Sequence, residues 1–435
     1  MEKTTVRRLM DYLNDSPSCY HAAAKLKDML LEAGYQSLRE SEVWQLQRGG
    51  KYFVERGDSA VIAFRIPKAG NGGFMMAAAH SDSPTMKMRE NSEVEAAGSL
   101  VLSVERYGGA IYSTWMDRPL SVAGRVIVEE EGRLHTRLVN VDRDLMVIPN
   151  VAIHMNRVIN EGTPLKENVD MRPLLGDVAD KGKLRALVAA AANVAEDSIL
   201  SGELFLYPRI SATLVGAAEQ YVLSPRLDDL QCAYTCTEGF LRAEESGSVP
   251  VLCVFNNEEV GSETLQGAGS DFLGMLLARI SDGMGRTAEE HRAALAESFM
   301  VSADNAHAVH PNHPEYADTN EKVYINGGVV IKFNANQKYS TDAVSAAVFR
   351  RVCRMAEAPV QVYSNRADLP GGTTLGHVSV GKVSVPTVDV GLPQLAMHSA
   401  SELAGVKDTE DMVKIMEVYF SKSLRRDADG GIALI

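Results

Sequence analysis

The sequence predicts an α/β protein in which a mixed sheet carries helices on both faces and a β-rich segment is inserted. Three observations support this fold class. Residues 74–79 are uniformly apolar, which is typical of a buried strand. Helical and strand patterns alternate beyond residue 216, as expected for an α/β sheet. Between these regions, residues 91–215 contain segments with alternating apolar and polar residues, which indicate antiparallel strands exposed on one face.

Length and composition limit the classes of function. At 435 residues the chain is too long for one average core, so two or three domains are expected. The net charge of −13 argues against a nucleic-acid-binding surface. No apolar run approaches the length of a membrane span, and the start of the chain lacks the apolar core of a secretory signal. Five scattered cysteines without a C-x-x-C pair fit reduced thiols, so we expect a cytoplasmic protein.

The α/β domain is predicted to comprise residues 1–90 and 216–435, on either side of the insertion. Thr4 or Thr5 could cap its first helix, and a second helix is expected from about Tyr20 to Ala33, ending at Gly34. Strands are expected at residues 51–55, 60–66 and 74–80.

The insertion, residues 91–215, is predicted to be a separate β-rich domain. Its clearest strands are expected at residues 99–105, 121–129 and 133–140. Its helical signal is confined mainly to residues 183–195.

The remaining elements follow in alternating order. Helices are expected at residues 229–245, 271–280, 287–297, 341–356 and 411–424. Strands are expected at residues 249–256, 299–303, 328–333 and 382–390.

A histidine and an aspartate follow the apolar strand at residues 74–79. In open α/β sheets, ligands bind beyond the carboxyl ends of the strands. His80 is placed there, so one ring nitrogen can bind a metal while Asp82 accepts the other N–H. A single motif of this kind is more often an ordinary strand-end histidine, so the interpretation depends on what recurs downstream.

Carboxylates recur beside the ends of other predicted strands. Asp228 and Asp229 precede a helix, where either residue could simply cap it. Glu258 and Glu259 directly follow a buried strand, a place that carboxylates avoid unless they are paired or bound to metal. Asp304 ends the next apolar run in the same way. These positions turn an isolated motif into a candidate site.

His398, which follows the last predicted strand, adds a second histidine to the carboxylates. Mixed histidine and carboxylate ligands suit zinc, with manganese or cobalt as alternatives. An aspartate shared by two ions, with one histidine and one further carboxylate for each, would place the ions about 3.5–4 Å apart, where they activate water. A carboxylate outside the ligand set then serves as general base, a division that fits Glu258 and Glu259.

Together these residues resemble the aspartyl aminopeptidases, a family of tetrahedral zinc exopeptidases with two metal ions. The similarity extends along nearly the whole chain, and the order and spacing of its motifs are specific. The motifs are HSDSP at residues 80–84, SPRLDDL at 224–230, NNEEVGS at 256–262, SADNAHAVHPN at 302–312, GGTT at 371–374 and PQLAMHS at 393–399.

The resemblance implies a ligand for each metal position. His80, Asp228 and Asp304 would bind one ion. Asp228 would bridge to the other ion, which Glu259 and His398 would complete.

The resemblance also implies roles beside the metals. Glu258 would be the general base, and Asp82 would support His80. Asn256 and Asp229 stand where the family often has aspartate and asparagine, respectively, and neither position is an expected ligand.

The substrate site follows from the same resemblance. Lys332 matches a lysine of the acidic pocket, and a cation is what an enzyme specific for N-terminal Asp or Glu requires. Tyr339 matches a tyrosine near the reacting carbonyl, where a phenol can stabilise the oxyanion. His307 is expected to touch substrate, while Gly372 and Thr373 are expected in a loop that lines the pocket. The nearby H-x-x-H-x-x-H run is not expected to bind metal, because the ligand set is complete without it.

The insertion corresponds to the family's dimerisation domain. Its His154 resembles a histidine that reaches into a neighbouring subunit's active site. The family assembles as a tetrahedral dodecamer whose active sites face an inner chamber, so we expect a homo-oligomer that acts on peptides.

The sequence therefore predicts a metallo-aminopeptidase that removes acidic N-terminal residues. One alternative is a broad-specificity or neutral-residue aminopeptidase with the same metal site. A second alternative, from another class, is a non-catalytic protein that self-assembles. No partner of the nucleic-acid or membrane class is expected.

Overall fold

The computed structural model of the chain describes residues 4–369 and 371–435, so residues 1–3 and Pro370 of the predicted α/β domain lie outside the described residues. The predicted α/β class is confirmed, since parallel and antiparallel strand pairs share one central sheet. In spatial order, its strands are Gln36–Leu38, Lys51–Arg56, Ala60–Arg65, Val249–Phe255, Phe74–His80, Phe299–Ala303, Thr387–Gly391, Val329–Phe333 and Val360–Ser364.

The strand Phe74–His80 lies in the middle of the central sheet, and all of its residues are buried. Both neighbouring strands run parallel to it, as expected for a uniformly apolar run. Its side chains alternate between two cores. Met75 and Ala77 pack in one core, and Met76 and Ala78 pack in the other. Both faces of the sheet must therefore be covered.

Helices provide this cover. One core includes residues of Thr5–Asn14, Cys19–Glu32, Leu227–Arg242, Ala343–Met355 and Val406–Phe420. The other core includes residues of Phe272–Gly283, Ala288–Ala296 and Leu375–Val380. Among the described residues, no helix has the length and apolar character needed to span a membrane.

A second sheet, here called the inserted sheet, consists of antiparallel strand pairs, as the sequence predicts for this part. In spatial order, its strands are Arg133–Asn140, Leu120–Glu130, Ile199–Pro208, Thr85–Ala96, Ser99–Tyr107 and Leu174–Asp177. Residues of the helix Lys183–Ala192 and Trp115 share a core with this sheet. The division of the chain into a domain at residues 91–215 stays a proposal.

Smaller elements complete the fold. A third sheet contains, in spatial order, Thr213–Val215, Tyr221–Ser224, Glu402–Gly405, Pro393–Leu395 and Ala306–His307. Leu424–Arg426 pairs with Ile432–Leu434. Short helical segments are Tyr112–Trp115, Ile159–Glu161, Glu167–Asp170, Val178–Asp180, Glu196–Ser198, Glu258–Val260 and Pro314–Tyr316.

Two elements near the C-terminus differ from their predicted bounds. The strand expected at residues 382–390 is confined to Thr387–Gly391, because Pro386 has no N–H to donate to the sheet. The final helix begins at Val406 and ends at Phe420, rather than spanning 411–424. Its end comes earlier because the residues from Leu424 onward pair as a strand.

Candidate metal centre

Parallel strands of the central sheet bring four candidate residues to one edge. His80 ends its strand and is in register with Phe255, which is followed by the turn that carries Glu258 and Glu259. Asp304 directly follows the next parallel strand on the other side of His80. The carboxyl ends of parallel strands meet at the same edge, so these side chains converge.

Asp228 and Asp229 lie in the first turn of the helix Leu227–Arg242, where both have non-helical backbone angles. Arg226 takes the cap position of this helix, so the alternative interpretation of Asp229 as a helix cap does not hold. Oδ2 of Asp229 instead accepts a hydrogen bond from the backbone N–H of His80 at 3.0 Å. Asp229 is fully buried, and its side chain stabilises the end of the strand Phe74–His80 rather than the start of its own helix.

The carboxylate of Asp228 lies between two histidines. Its Oδ1 is 3.6 Å from Nε2 of His80, and its Oδ2 is 3.4 Å from Nε2 of His398. Nε2 of His398 is also 3.3 Å from Oε1 of Glu259. A carboxylate with one oxygen toward each histidine has the arrangement expected of a bridging ligand.

The donor atoms cluster tightly enough to hold metal. Three overlapping groups have ligand atoms within 4.8 Å of one another. They are His80 with Asp228, Asp229 and Asp304; His80 with Glu258 and Glu259; and Asp228 with Glu259 and His398. Imidazole and carboxylate donors suit zinc and similar divalent ions.

The electrostatics of the cluster also favour a cation. Burial, together with neighbouring carboxylates, raises the pKa of Glu258 to about 9 and that of Glu259 to about 7. Oδ1 of Asp228 is buried and has no hydrogen-bond partner among the described residues. A buried carboxylate oxygen without a partner is costly, and a bound cation would satisfy it. The residues therefore fit divalent metal.

Asp82 lies against the ring of His80, and its backbone carbonyl is a nearer acceptor than the carboxylate that the sequence suggests. Nδ1 of His80 is 3.1 Å from the carbonyl oxygen of Asp82 and 3.3 Å from its Oδ1. A carbonyl only accepts, so Nδ1 carries the proton and Nε2 is free to bind metal. The Asp82 carboxylate also accepts the backbone N–H groups of Glu258 and Glu259, each at 3.1 Å. One residue thus fixes both His80 and the turn that carries the two glutamates.

His398 is oriented by groups that the sequence analysis missed. Its Nδ1 is 3.2 Å from the carbonyl oxygen of Gly109, so its Nε2 also faces the cluster. Its backbone N–H donates to Oε1 of Glu402 at 2.6 Å, and Oε2 of Glu402 accepts the N–H of Asp228 at 3.0 Å. Glu402 is 1% exposed, and burial raises its pKa to about 8. The one signal for it in the sequence is an acid four residues after His398.

Lys332 lies beside the candidate metal ligand Asp304. It is 3% exposed, and its Nζ donates to the carbonyl oxygen of Asn305 at 2.7 Å. The same Nζ is 3.4 Å from Oδ1 of Asp304 and lies 5.5 Å from the ring centre of Tyr339. Burial alone would lower the pKa of Lys332, but Asp304 and other acidic groups raise it above the ordinary value. The side chain is therefore a buried cation at the edge of the cluster.

Tyr363, also missed by the sequence analysis, joins the predicted substrate residues. Its ring centre is 6.0 Å from that of His307 and 6.4 Å from that of Tyr339. Oγ1 of Thr373 donates to the carbonyl oxygen of Lys338 at 3.4 Å, which places its loop beside Tyr339. Nothing in the local sequence pattern distinguishes Tyr363 from other strand tyrosines.

Among the described residues, no contact joins two of the predicted substrate residues to the cluster. His154 lies in an exposed segment, and Gly372 has no atom within 4 Å of the position a Cβ would take. His310 and His313 contact each other, with ring centres 5.3 Å apart, and neither belongs to the described metal-binding groups.

Comparison with known proteins identifies the family. The profile of the Aminopeptidase I zinc metalloprotease (M18) family matches residues 12–420. A probable M18 family aminopeptidase 2 of Clostridium acetobutylicum is 41% identical over 427 residues, covering 95% of this chain and 98% of the relative. A protein of the same name from Pseudomonas aeruginosa is 39% identical over 426 residues, covering 95% and 97%.

Solved structures agree with this result. The chain is similar to one in the cryo-EM structure of the Ape4 and Nbr1 complex, with 35% identity and a TM-score of 0.93 over 96% of this chain and 85% of that one. It is also similar to prApe1, with 25% identity and a TM-score of 0.89 over 95% and 94%. The family resemblance noted in the sequence is thus confirmed at the level of M18, and this chain belongs to the M18 family of zinc aminopeptidases.

Proposed function

We propose that this aminopeptidase removes acidic residues, Asp or Glu, from the N-termini of peptides and uses two divalent ions. The observation that carries the acidic preference is the buried ammonium of Lys332 beside Asp304. A substrate carboxylate close to the metal ligands needs a fixed positive partner, and a buried lysine supplies one. Of its three N–H groups, one donates to Asn305 at 2.7 Å, while the contact with Asp304 is long at 3.4 Å. Donor capacity therefore remains for substrate.

The metal ligands of the proposal are His80, Asp228 and Asp304 for one ion, with Asp228, Glu259 and His398 for the other. The two oxygens of Asp228 face different histidines, which supports Asp228 as the ligand shared by both ions. Zinc is the expected metal of the family. Manganese and cobalt accept the same donors and are the alternatives.

Two bound ions would lower the pKa of a water molecule and polarise the scissile carbonyl. Glu258 is the proposed general base: it takes the proton of the attacking water and passes it to the leaving amine. Its side chain is 14% exposed, with Oε2 4.0 Å from Nε2 of His80. Its backbone is held by the hydrogen bond to Asp82. Glu258 therefore borders the ligands without being needed in either proposed set.

The proposed substrate pocket contains Lys332 for the acidic side chain and Tyr339 for the oxyanion. Tyr339 is 4% exposed, and burial raises its pKa, so its phenol stays a proton donor. His307 and the loop with Gly372 and Thr373 are assigned to the rim. Their exposure supports a position at the entrance rather than at the reacting bond.

The active form is proposed to be a tetrahedral dodecamer in which His154 enters a neighbouring subunit's site. A yeast mApe1 structure described as a dodecamer is 25% identical to this chain, with a TM-score of 0.82 over 95% of each chain. The segment around His154 exposes Val151, Ile153, Met155 and Val158 by 48–85%. Exposed apolar side chains in one segment favour a protein contact.

A cytoplasmic location is part of the proposal. All five cysteines are buried and free, as expected of thiols in a reducing compartment.

The test is hydrolysis of aminoacyl substrates of Asp, Glu, Leu, Ala and Lys by metal-free protein that is refilled separately with zinc, manganese or cobalt. We expect metal-dependent cleavage confined to Asp and Glu. Comparable cleavage of the Leu or Ala substrates would be consistent with the proposed metal site but would contradict the proposed acidic preference. No cleavage by protein that binds two ions would favour the non-catalytic, self-assembling alternative.

A further inference from the structure

We propose that the end of one strand of the inserted sheet, residues 107–109, positions the ligands of the metal centre. The inference rests on the proposed metal centre and adds residues that lie outside its ligand set. Tyr107 and Gly109 act as positioning residues, because they act through Asp82 and His398. The inserted sheet would then be part of the catalytic unit as well as a surface for assembly.

The first contact is the hydroxyl of Tyr107. It donates to Oδ2 of Asp82 at 2.7 Å and accepts from Nδ2 of Asn257 at 2.9 Å. Asn257 immediately precedes the turn with Glu258 and Glu259. The hydroxyl therefore links the turn to Asp82 from the side of the inserted sheet.

Asp82 connects Tyr107 to the proposed metal ligands. Its two oxygens together accept the N–H groups of Glu258 and Glu259, and its Oδ1 is 3.3 Å from Nδ1 of His80. A carboxylate with this many donors has one orientation that satisfies them all. Loss of the Tyr107 donor leaves that orientation less restrained, so His80 and the turn lose precision together.

The second contact is the backbone at Gly108 and Gly109. The Gly109 carbonyl accepts from Nδ1 of His398 and so selects the tautomer with a free Nε2. Gly108 has φ +70°, and a Cβ there would lie 3.0 Å from Cβ of Glu259. Only a glycine gives this close approach without displacing the glutamate. Two residues of the inserted sheet's strand end thus border a histidine and a glutamate of the same proposed ion.

The inserted sheet holds Tyr107 firmly. Tyr107 is paired with Thr85 across the sheet, and its ring packs edge-to-face on Phe205 with centres 5.5 Å apart. Phe205 contacts Tyr20, whose hydroxyl donates to Glu203 of the same sheet at 2.7 Å. Tyr20 belongs to a helix that covers the central sheet, so this aromatic cluster joins the two sheets.

The inference is tested by Tyr107→Phe, which removes only the hydroxyl. Tyr112→Phe is the matched control, because Tyr112 also donates to a carboxylate, that of Glu167, and neither residue belongs to the metal-binding groups of the described residues. Zinc affinity is measured by competition with a chromogenic chelator, and the visible absorption of the cobalt-loaded proteins reports ligand geometry. We expect roughly 10- to 100-fold weaker zinc binding and an altered cobalt spectrum for Tyr107→Phe, the usual effect of losing a partner of a metal ligand. Tyr112→Phe should match the wild type.

Gly108→Ala provides a second variant in case Tyr107→Phe folds poorly. The added Cβ would lie 3.0 Å from Cβ of Glu259 at a backbone φ of +70°, so that glutamate must shift, while no atom of His80 is among the nearest neighbours. Loss of affinity for one ion, with the other retained, supports the inference. Unchanged zinc affinity and cobalt spectrum in both variants would overturn it. A wild-type chain that binds no metal would instead overturn the proposed function, and this inference with it.

Discussion

The two histidines of the candidate metal centre lie in contrasting regions of the fold. His80 ends the buried middle strand of the central sheet and is 1% exposed. His398 lies in a loop, has φ 66°, and its side chain is 29% exposed. His80 is oriented by Asp82, two residues along the chain. His398 is oriented by Gly109, which is 289 residues away in sequence.

The contrast shows that the cluster has a side fixed by sheet pairing and a side assembled from distant segments. Sheet pairing positions His80, Asp304 and the glutamate turn together. The position of His398 depends on its loop, on the carboxylate of Glu402 and on the Gly109 carbonyl, just beyond a strand of the inserted sheet. Substitutions on the two sides should therefore have different effects on folding and on metal content.

The largest effect on turnover is expected on the side fixed by sheet pairing, at Glu258. Replacing Glu258→Gln removes the proposed general base and leaves both ligand sets intact. We expect kcat to fall by about 100- to 10,000-fold while the metal content, measured by atomic emission, is unchanged. Glu263→Gln, an exposed glutamate in the following loop, serves as the control. Substantial activity in Glu258→Gln would show that the base is another group.

The contrast itself is tested by His80→Ala and His398→Ala. We expect His398→Ala to lose one of the two proposed ions and nearly all activity, with a thermal midpoint close to that of the metal-free wild type. His80→Ala removes a fully buried side chain, so we expect lower stability as well as metal loss. Metal analysis and thermal unfolding distinguish the two results. Equal destabilisation by both substitutions would contradict the proposed difference.

A smaller effect is expected for substrate preference. Lys332→Met removes the buried ammonium, and the loss of one hydrogen bond to a charged group predicts roughly 10- to 100-fold lower kcat/KM for Asp and Glu substrates. The ratio of Asp to Leu cleavage is the measurement, with Lys338→Met, an exposed lysine nearby, as the control. An unchanged ratio would show that Lys332 does not determine the substrate preference. Metal content must be measured as well, because Lys332 contacts Asp304.

The smallest of these effects is expected at Glu402. Glu402→Gln keeps one acceptor but cannot accept from both Asp228 and His398. We expect roughly 10-fold weaker binding of the ion nearest His398, measured by chelator competition. Glu410→Gln, on the following helix, is the control. Wild-type affinity in Glu402→Gln would mean that backbone packing alone positions the loop.

Much of the candidate site could be predicted before the fold was known. The apolar run before His80, the adjacent Glu258 and Glu259 and the acid at Asp304 all mark ends of buried strands. Parallel pairing places such ends together, so local pattern was enough to assemble that side of the cluster. A helix start also explains an aspartate locally, which left the cap alternative open for Asp229, whereas its hydrogen bond goes to a strand 149 residues away.

The sequence by itself determined the α/β class, the residues of the two proposed ligand sets and the family. Tertiary structure alone decided which groups contact those residues: Tyr107 at the end of a strand of the inserted sheet and Gly109 just beyond it, Glu402 from a third sheet, and Tyr363 between the proposed substrate residues. The physical reason is that strand and helix patterns are set by neighbours along the chain. Hydrogen bonds between segments depend on how sheets pack, and no local periodicity records that packing.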